Sequence, residues 1–232
     1  MPVSRERLIA FWGRLDERER EVIKYLTQTP PPISLDMLVS LTELPAVMVL
    51  NLMERLKRKK VVSERRDYGR GVYFPNNSQF LSWVERNLTR EEKKKILNRI
   101  LRIYEECLSE GAERNIIMAE LYIKGEEKSD GLEYVKAAAD IFLKRRQKDK
   151  ATRYYDYVIH GLIERKLRRK DAELFVDAVV GKISASGHLM PLNEQVSLLK
   201  RAEEVARRHK LSESMARIKL LLGQVLKAAG QY

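Results

Sequence analysis

The sequence contains one cysteine, three histidines, seven prolines and eleven glycines in 232 residues. Each scarcity closes off a class of protein. A lone Cys107 cannot form an intrachain disulfide, so a reducing compartment is the default. With no Cys or His at ligand spacing, Cys107 is expected to be a small buried hydrophobe. His160, His188 and His209 show no His-x-x-x-His or Cys-bearing pattern, which excludes the common zinc sites. His160 follows the apolar stretch "YDYVI" and is expected on a helix surface or a satisfied interface. The glycines form no Gly-x-x-x-x-Gly-Lys-Ser/Thr phosphate loop. In "VVGKIS", Gly181-Lys182 is followed by Ile183, and Val176 stands where the first glycine belongs, so this stretch is expected to be a helix end. No Gly-x-Ser-x-Gly elbow is present. No apolar run approaches the roughly 18 residues that span a bilayer. "MPVSRERL" is charged within four residues of Met1, so it is no signal peptide. The expectation is a cytoplasmic, non-enzymatic protein with no cofactor, no metal and no membrane partner.

The chain is instead rich in Ala, Leu, Glu, Lys and Arg, with 34% charged residues and a formal net charge of +12. That composition is typical of helical proteins. The basic excess fits either an anionic partner or a solvated basic helical surface. In the first eighty residues, Asp16 and an acid-rich turn open a helix with Val22, Ile23 and Leu26 on one face. Prolines in "TPPPIS" end it. Ser34 caps a second helix, "SLDMLVSL". Pro45 opens a third, "PAVMVLNLMERLKRKK". "VVSERR" and "VYFP" read as strands joined through "DYGRG", whose Asp and Gly suit a hairpin turn. Three helices followed by a β-hairpin predict a winged helix, with the third helix as its recognition element.

That third helix puts Ala46, Val49, Leu52, Met53 and Leu56 on a core face. The opposite face carries Val47, Met48, Leu50, Asn51, Glu54, Arg55 and Arg58. A base-reading helix needs donors and acceptors where it enters the groove. Here Val47, Met48 and Leu50 occupy that end, which fits packing against protein. The contrary reading is nucleic-acid contact through Asn51, Arg55, Arg58, Lys59, Arg65, Arg66 and Arg70. Protein packing ranks ahead of it, with weak, sequence-independent nucleic-acid binding at most.

Beyond residue 78 only helices are expected. Thr89 with Glu92 forms a capping box. Short antiparallel helices follow from "ERNIIMAELYIKGEE" to "LSESMARIKLLLGQVLKAAGQY", as in a helical-hairpin solenoid. Ala138-Ala139, Phe142, Ala151, Tyr155 and Val158 repeat the small and aromatic spacing of a tetratricopeptide over about 34 residues. This register puts Tyr155 in the core and Tyr154 nearer the surface. "LLGQVLKAAGQY" matches a first repeat helix without its second. The expected organisation is a winged-helix domain at 1–78 and a tetratricopeptide-like domain at 79–232, truncated at its C-terminus with an edge open to self-association.

A winged helix followed directly by such repeats resembles the regulatory half of signal-transduction ATPases with numerous domains, among them maltose-regulator-type activators and ATPase-linked cyclases and kinases. The likeness is carried by "RERLIAFWGRLDEREREVIKYL", "LNLMERLKRKKVVSERR" and "MAELYIKGEEKSDGLEYVKAAADIFLKRRQKDKATRYYDYVIHGL". Many relatives place a histidine two residues after the wing's Phe. Here Phe74-Pro75-Asn76 puts Asn76 there. The resemblance implies a regulatory fragment of a larger bacterial signalling protein that binds a protein or peptide through its repeats. The alternative is a DNA-binding transcriptional regulator using the winged helix.

Overall fold

The computed structural model describes residues 4–67, 70–125, 131–228 and 230. The chain is mainly helical with one small three-stranded antiparallel sheet, and it divides into two compact units at Ser109/Glu110. No single described helix is long and apolar enough to cross a membrane. The bent pair Leu35–Thr42 and Ala46–Arg58 passes that test only jointly, across a 110° break.

The first unit contains α1 (Arg5–Gly13), α2 (Glu17–Gln28), β1 (Ile33–Ser34), α3 (Leu35–Thr42), α4 (Ala46–Arg58), β2 (Val62–Asp67), β3 (Arg70–Pro75), α5 (Ser78–Asn87) and α6 (Arg90–Cys107). The strands run in the order β1-β3-β2, and Tyr73 stands opposite Ile33 on one side and Glu64 on the other. The turn residues Tyr68 and Gly69 of the expected hairpin lie outside the described residues. Ser34 caps α3 by accepting from the Met37 amide, and Thr89 with Glu92 forms the expected box on α6. Two elements escape the sequence pattern. α1 buries no residue fully, so it has no strong apolar stripe; Leu8, Phe11 and Trp12 rest half-buried on the core. β1 has two residues after a proline run, too few for an alternation.

The first unit runs past the boundary expected at residue 78. Phe80, Leu81 and Val84 of α5 sit in the same core as Val22, Ile23, Leu38, Leu52 and Leu56. The Phe80 ring meets Phe11 edge-on at 4.8 Å and stacks on Trp83 at 6.2 Å. α6 is tied back by Lys24 to Glu92 at 2.7 Å and by Arg99 to Glu43 at 2.7 Å. Asn77 is the N-cap of α5, accepting from the Phe80 amide. Cys107 also departs from expectation: as the last residue of α6 it is exposed, since the buried stripe there passes through Ile100, Ile103 and Tyr104.

The second unit contains α7 (Ala112–Lys124), α8 (Leu132–Lys144), α9 (Lys148–Leu162), α10 (Arg169–Ser186), a 3-10 turn (Gly187–Leu189), α11 (Leu192–Arg208) and α12 (Ser212–Ala228). Each helix packs on the next, and α10 packs on both α8 and α12, so these three lie side by side. This is a helical-repeat arrangement. Ala138, Ala139 and Ala151 are fully buried where helices approach closely, with Phe142 and Tyr155 filling the gaps beside them. Tyr155 is buried and Tyr154 is half-buried against Phe142, ring centroids 5.1 Å apart. Glycine scarcity shows in the turns: Arg146 and Lys210 hold the left-handed conformation at φ 60° and 55° after α8 and α11.

One expectation for this unit is overturned. Gly181 does not end a helix; α10 continues to Ser186. A Cβ at Gly181 would clash with the hydroxyl end of the Tyr155 ring. The glycine is there so that the ring can lie against the α10 backbone, with the Tyr155 hydroxyl donating to Asp140 Oδ1 at 2.7 Å.

Gly181→Ala should therefore destabilise the protein. Alanine gains roughly 1 kcal/mol of helix propensity, but overpacking costs about 1–3 kcal/mol. In a Tyr155→Leu background the same change should become stabilising, because the ring it strikes is gone. Chemical denaturation followed by circular dichroism across this double-mutant cycle checks the reversal of sign.

A pH prediction follows for the first unit. Hydrogen bonding from Lys24 and from the Thr89 amide lowers the Glu92 pKa from 4.5 to about 2, against a smaller opposing effect of burial. A depressed carboxylate stabilises the fold above its unfolded pKa and loses that contribution as pH falls through its folded one. The loss should fall between pH 4.5 and pH 2, and Glu92→Gln should flatten the stability profile there. Both tryptophans, Trp12 and Trp83, lie in the first unit, so tryptophan fluorescence reports this unit alone.

Candidate functional site

α4 presents the surface on which protein packing and DNA reading divide. Its inward residues are Val49, Leu52, Met53 and Leu56, all buried. Ala46, expected with them, is exposed, because the helix begins there and its first turn projects beyond the core. On the outer face Val47 is 70% exposed and Leu50 43% exposed. Met48 is half-buried, its sulfur 4.0 Å from Arg18 Nη1. Asn51 is exposed between them.

The cations proposed as nucleic-acid contacts do not form one free patch. Glu19 of α2 is buried at 1% exposure, and both its oxygens accept from Lys59 Nζ at 2.7 Å. The same carboxylate accepts from the Asp16 amide at 3.0 Å, closing the capping box of α2. Arg55 pairs with Asp16 at 2.9 Å and approaches Glu19 at 3.7 Å. The Asp16 pKa is lowered: burial works against the shift, but the Glu19 amide and the Arg55 guanidinium outweigh it. Lys57 bridges Glu54 at 3.0 Å and Glu64 at 2.6 Å. Arg65 lies over the Phe74 ring at 4.9 Å. Arg58 and Arg66 are exposed without an ion-pair partner among the described residues. The Arg70 side chain lies outside the described residues. Sequence reasoning finds Asp16 as a helix start but misses its ion pair and the role of Glu19; the signal is Asp16 followed three residues later by Glu19, the spacing of a capping box.

In the second unit, ion pairs run across the side-by-side helices. Lys136 of α8 bonds Asp140 at 2.9 Å and reaches Asp177 of α10 at 3.7 Å. Asp177 in turn receives Arg217 of α12 at 2.6 Å. Lys170 of α10 pairs with Glu133 of α8. On α12, Ile218 is buried, Leu221, Leu222 and Val225 are half-buried, and Leu220 is 66% exposed. Ala229, Gln231 and Tyr232 of the expected terminal pattern lie outside the described residues. Exposed His160 sits with Nδ1 2.7 Å from the Asp156 carbonyl oxygen, a satisfied surface histidine. Among the described residues no cluster of His, Cys, Asp or Glu is placed to hold a metal ion.

No family model matches the sequence, and no curated protein is significantly similar to it. Among solved structures, the chain is similar to a signal transduction ATPase with numerous domains that carries a tetratricopeptide repeat sensor, from Pyrococcus horikoshii. The likeness is coarse, with a TM-score of 0.34 at 13% identity over all of this chain. The chain spans 45% of that protein's length.

Removing the Glu19 charge tests the α4 assignment. Glu19→Gln leaves Lys59 and Arg55 with an incomplete partner. It should cost about 2 kcal/mol, below the ~3–5 kcal/mol of a fully buried broken pair because Lys59 reaches solvent. The freed cations should also tighten non-specific binding of a random DNA duplex at low salt. Denaturant titration and fluorescence anisotropy measure the two effects.

Proposed function

We propose that this chain is a non-enzymatic regulatory module in which a tetratricopeptide-like repeat, residues 110–232, binds a protein or peptide partner. The observation that carries this reading is the side-by-side packing of α8, α10 and α12. Stacked hairpins of this kind offer a continuous surface that reads a partner repeat by repeat. The first unit is read as a winged helix that packs against protein. α2, α3 and α4 with the β2–β3 hairpin follow that order of elements, and the exposed Val47 and Leu50 at the start of α4 favour an apolar partner. The half-covered apolar residues of α12 are a place for self-association. A larger signalling protein with an effector elsewhere is the context proposed.

The second reading, a DNA-binding regulator, is favoured by exposed Arg58 and Arg66 beside Arg65. These supply phosphate contacts, whereas the base-facing end of α4 offers Asn51 alone as a polar reader, since Arg55 is engaged by Asp16. Phosphate contacts without base contacts give affinity that falls steeply with salt and does not discriminate sequence.

Two measurements decide between them. Anisotropy with random and selected duplexes should show weak binding that disappears at physiological salt. Discrimination of roughly 10³ or more would instead establish the DNA reading, and its loss in Asn51→Ala would locate it. Hydrogen exchange of the chain with a co-purifying partner should show protection within residues 110–232. Protection confined to the first unit would overturn the repeat as the binding element.

A further inference from the structure

The second unit contains a cavity of about 600 Å³ lined by the segment that follows α9, by Phe175 of α10, by α11 and by His209 just past it. Its cations are Arg165, Lys166, Lys200, Arg201 and Arg208. The one carboxylate in its lining, Glu204, is already paired with Arg208 at 2.9 Å. Its apolar lining is Ile163, Leu167, Phe175 and Val205. Phe175 is fully buried and belongs to the hydrophobic core, while Ile163, Leu167 and Val205 are half-buried and face the cavity. Arg201 Nη2 donates to the Ile163 carbonyl at 2.6 Å, which ties α11 to the C-terminal end of α9 and holds the wall in place.

From this combination we infer that the groove is the peptide-binding site of the repeat, and that it takes an acidic segment carrying one apolar side chain. The inference rests on the proposed function in that a protein or peptide binds this repeat, but it places the contact at α11 and the segment after α9 rather than on the α8, α10 and α12 face, and it names the chemistry of the partner. Three features lead to it. The volume lies within the roughly 300–1,000 Å³ of ordinary ligand sites. The rim charge is one-sided: Arg165, Lys166 and Lys200 are exposed and have no ion-pair partner among the described residues. By contrast, the cations Lys136, Lys170 and Arg217 on α8, α10 and α12 are each neutralised by a carboxylate within the unit. An acidic partner therefore gains more at the groove than on that face. The apolar lining separates a peptide from a nucleic acid. A strand of nucleic acid uses a basic track with exposed rings for stacking, whereas here Phe175 is buried in the core and the His209 ring is half-buried.

The test uses the full chain and fluorescein-labelled peptides in which Asp and Glu flank a single Leu. Comparison probes replace the Leu by Ser, or every acid by Lys, and a single-stranded oligonucleotide of equal charge is the nucleic-acid probe. Lys166→Glu/Lys200→Glu reverses two exposed rim charges. Lys144→Glu/Arg145→Glu makes the same change in net charge outside the lining, and circular dichroism verifies that both variants fold. The acidic Leu peptide should bind best, losing about tenfold in affinity or more when Leu becomes Ser or when the rim is reversed. The outside variant should change affinity little, and the Lys peptide should prefer the rim-reversed protein. Equal weakening by both variants would reduce the effect to general electrostatics and overturn the site. So would oligonucleotide binding tighter than that of the Leu peptide, or no binding of any acidic peptide. If a partner still protects residues 110–232 while the rim variants bind it normally, the repeat remains the binding element and only the groove assignment falls.

Discussion

Glu19 is the only charged residue buried among the described residues, and the first unit is arranged around the consequences. A carboxylate withdrawn from water needs several donors to offset its lost hydration. Glu19 obtains them from two directions: the Asp16 amide at the start of α2 and Lys59 just past the end of α4. The two helices are thereby fixed end to end by one side chain. Meeting that requirement decides which cations remain for a partner. Lys59 is consumed, and Arg55 is drawn to the neighbouring Asp16. What α4 leaves exposed at its N-terminal end is apolar. The weakness of the DNA reading is thus a result of internal electrostatics as much as of the missing polar readers.

The second unit is governed by a steric constraint. Tyr155 is a large side chain placed between α8 and α10, and its hydroxyl is anchored by Asp140. It fits only because Gly181 leaves the α10 backbone bare at that level. The mid-helix glycine costs helix propensity, offset by burial of an aromatic ring at the closest approach of the helices. Burial, followed by the hydrogen bond to Asp140, pushes the Tyr155 hydroxyl pKa upward, so it stays a donor across the physiological range. Burial likewise pushes Tyr154 up to about 12.

The sequence carried the periodic parts of this structure and lost those that depend on distant partners. Val22, Leu52, Ala138 and Phe142 are placed by spacing alone, because a helix has a fixed period and a buried face shows it. Ser34, Thr89 and Asn77 are local caps, although only the first two stand out before the structure is known. Gly181 was misread because its reason lies twenty-six positions earlier in the chain, at Tyr155. The end of the first unit was misplaced for a similar cause. Phe80 looks like the start of a new helical region until its ring is seen against Phe11. Cys107 was expected inside on the strength of residue type, yet its position on α6 turns it outward. Within the candidate surface, Val47 and Leu50 were legible from the helical wheel, whereas the engagement of Arg55 and Lys59 required the third dimension.

The net charge of +12 therefore says little about partners until the cations are sorted by what already holds them. Lys24, Lys57, Lys59, Lys136, Lys182 and Arg217 each face a carboxylate within 3.0 Å. Such pairs at the surface contribute little stability individually, but they remove charge from the field that an approaching partner meets. The field that remains is carried by cations without such a partner, and it can select among anions where several of them border one cavity. Arg165, Lys166 and Lys200 meet that condition around an apolar lining. Arg58 and Arg66, near the sheet, are not in the lining of that cavity. A basic surface becomes a recognition site when it also has shape, and in this chain the second unit provides both.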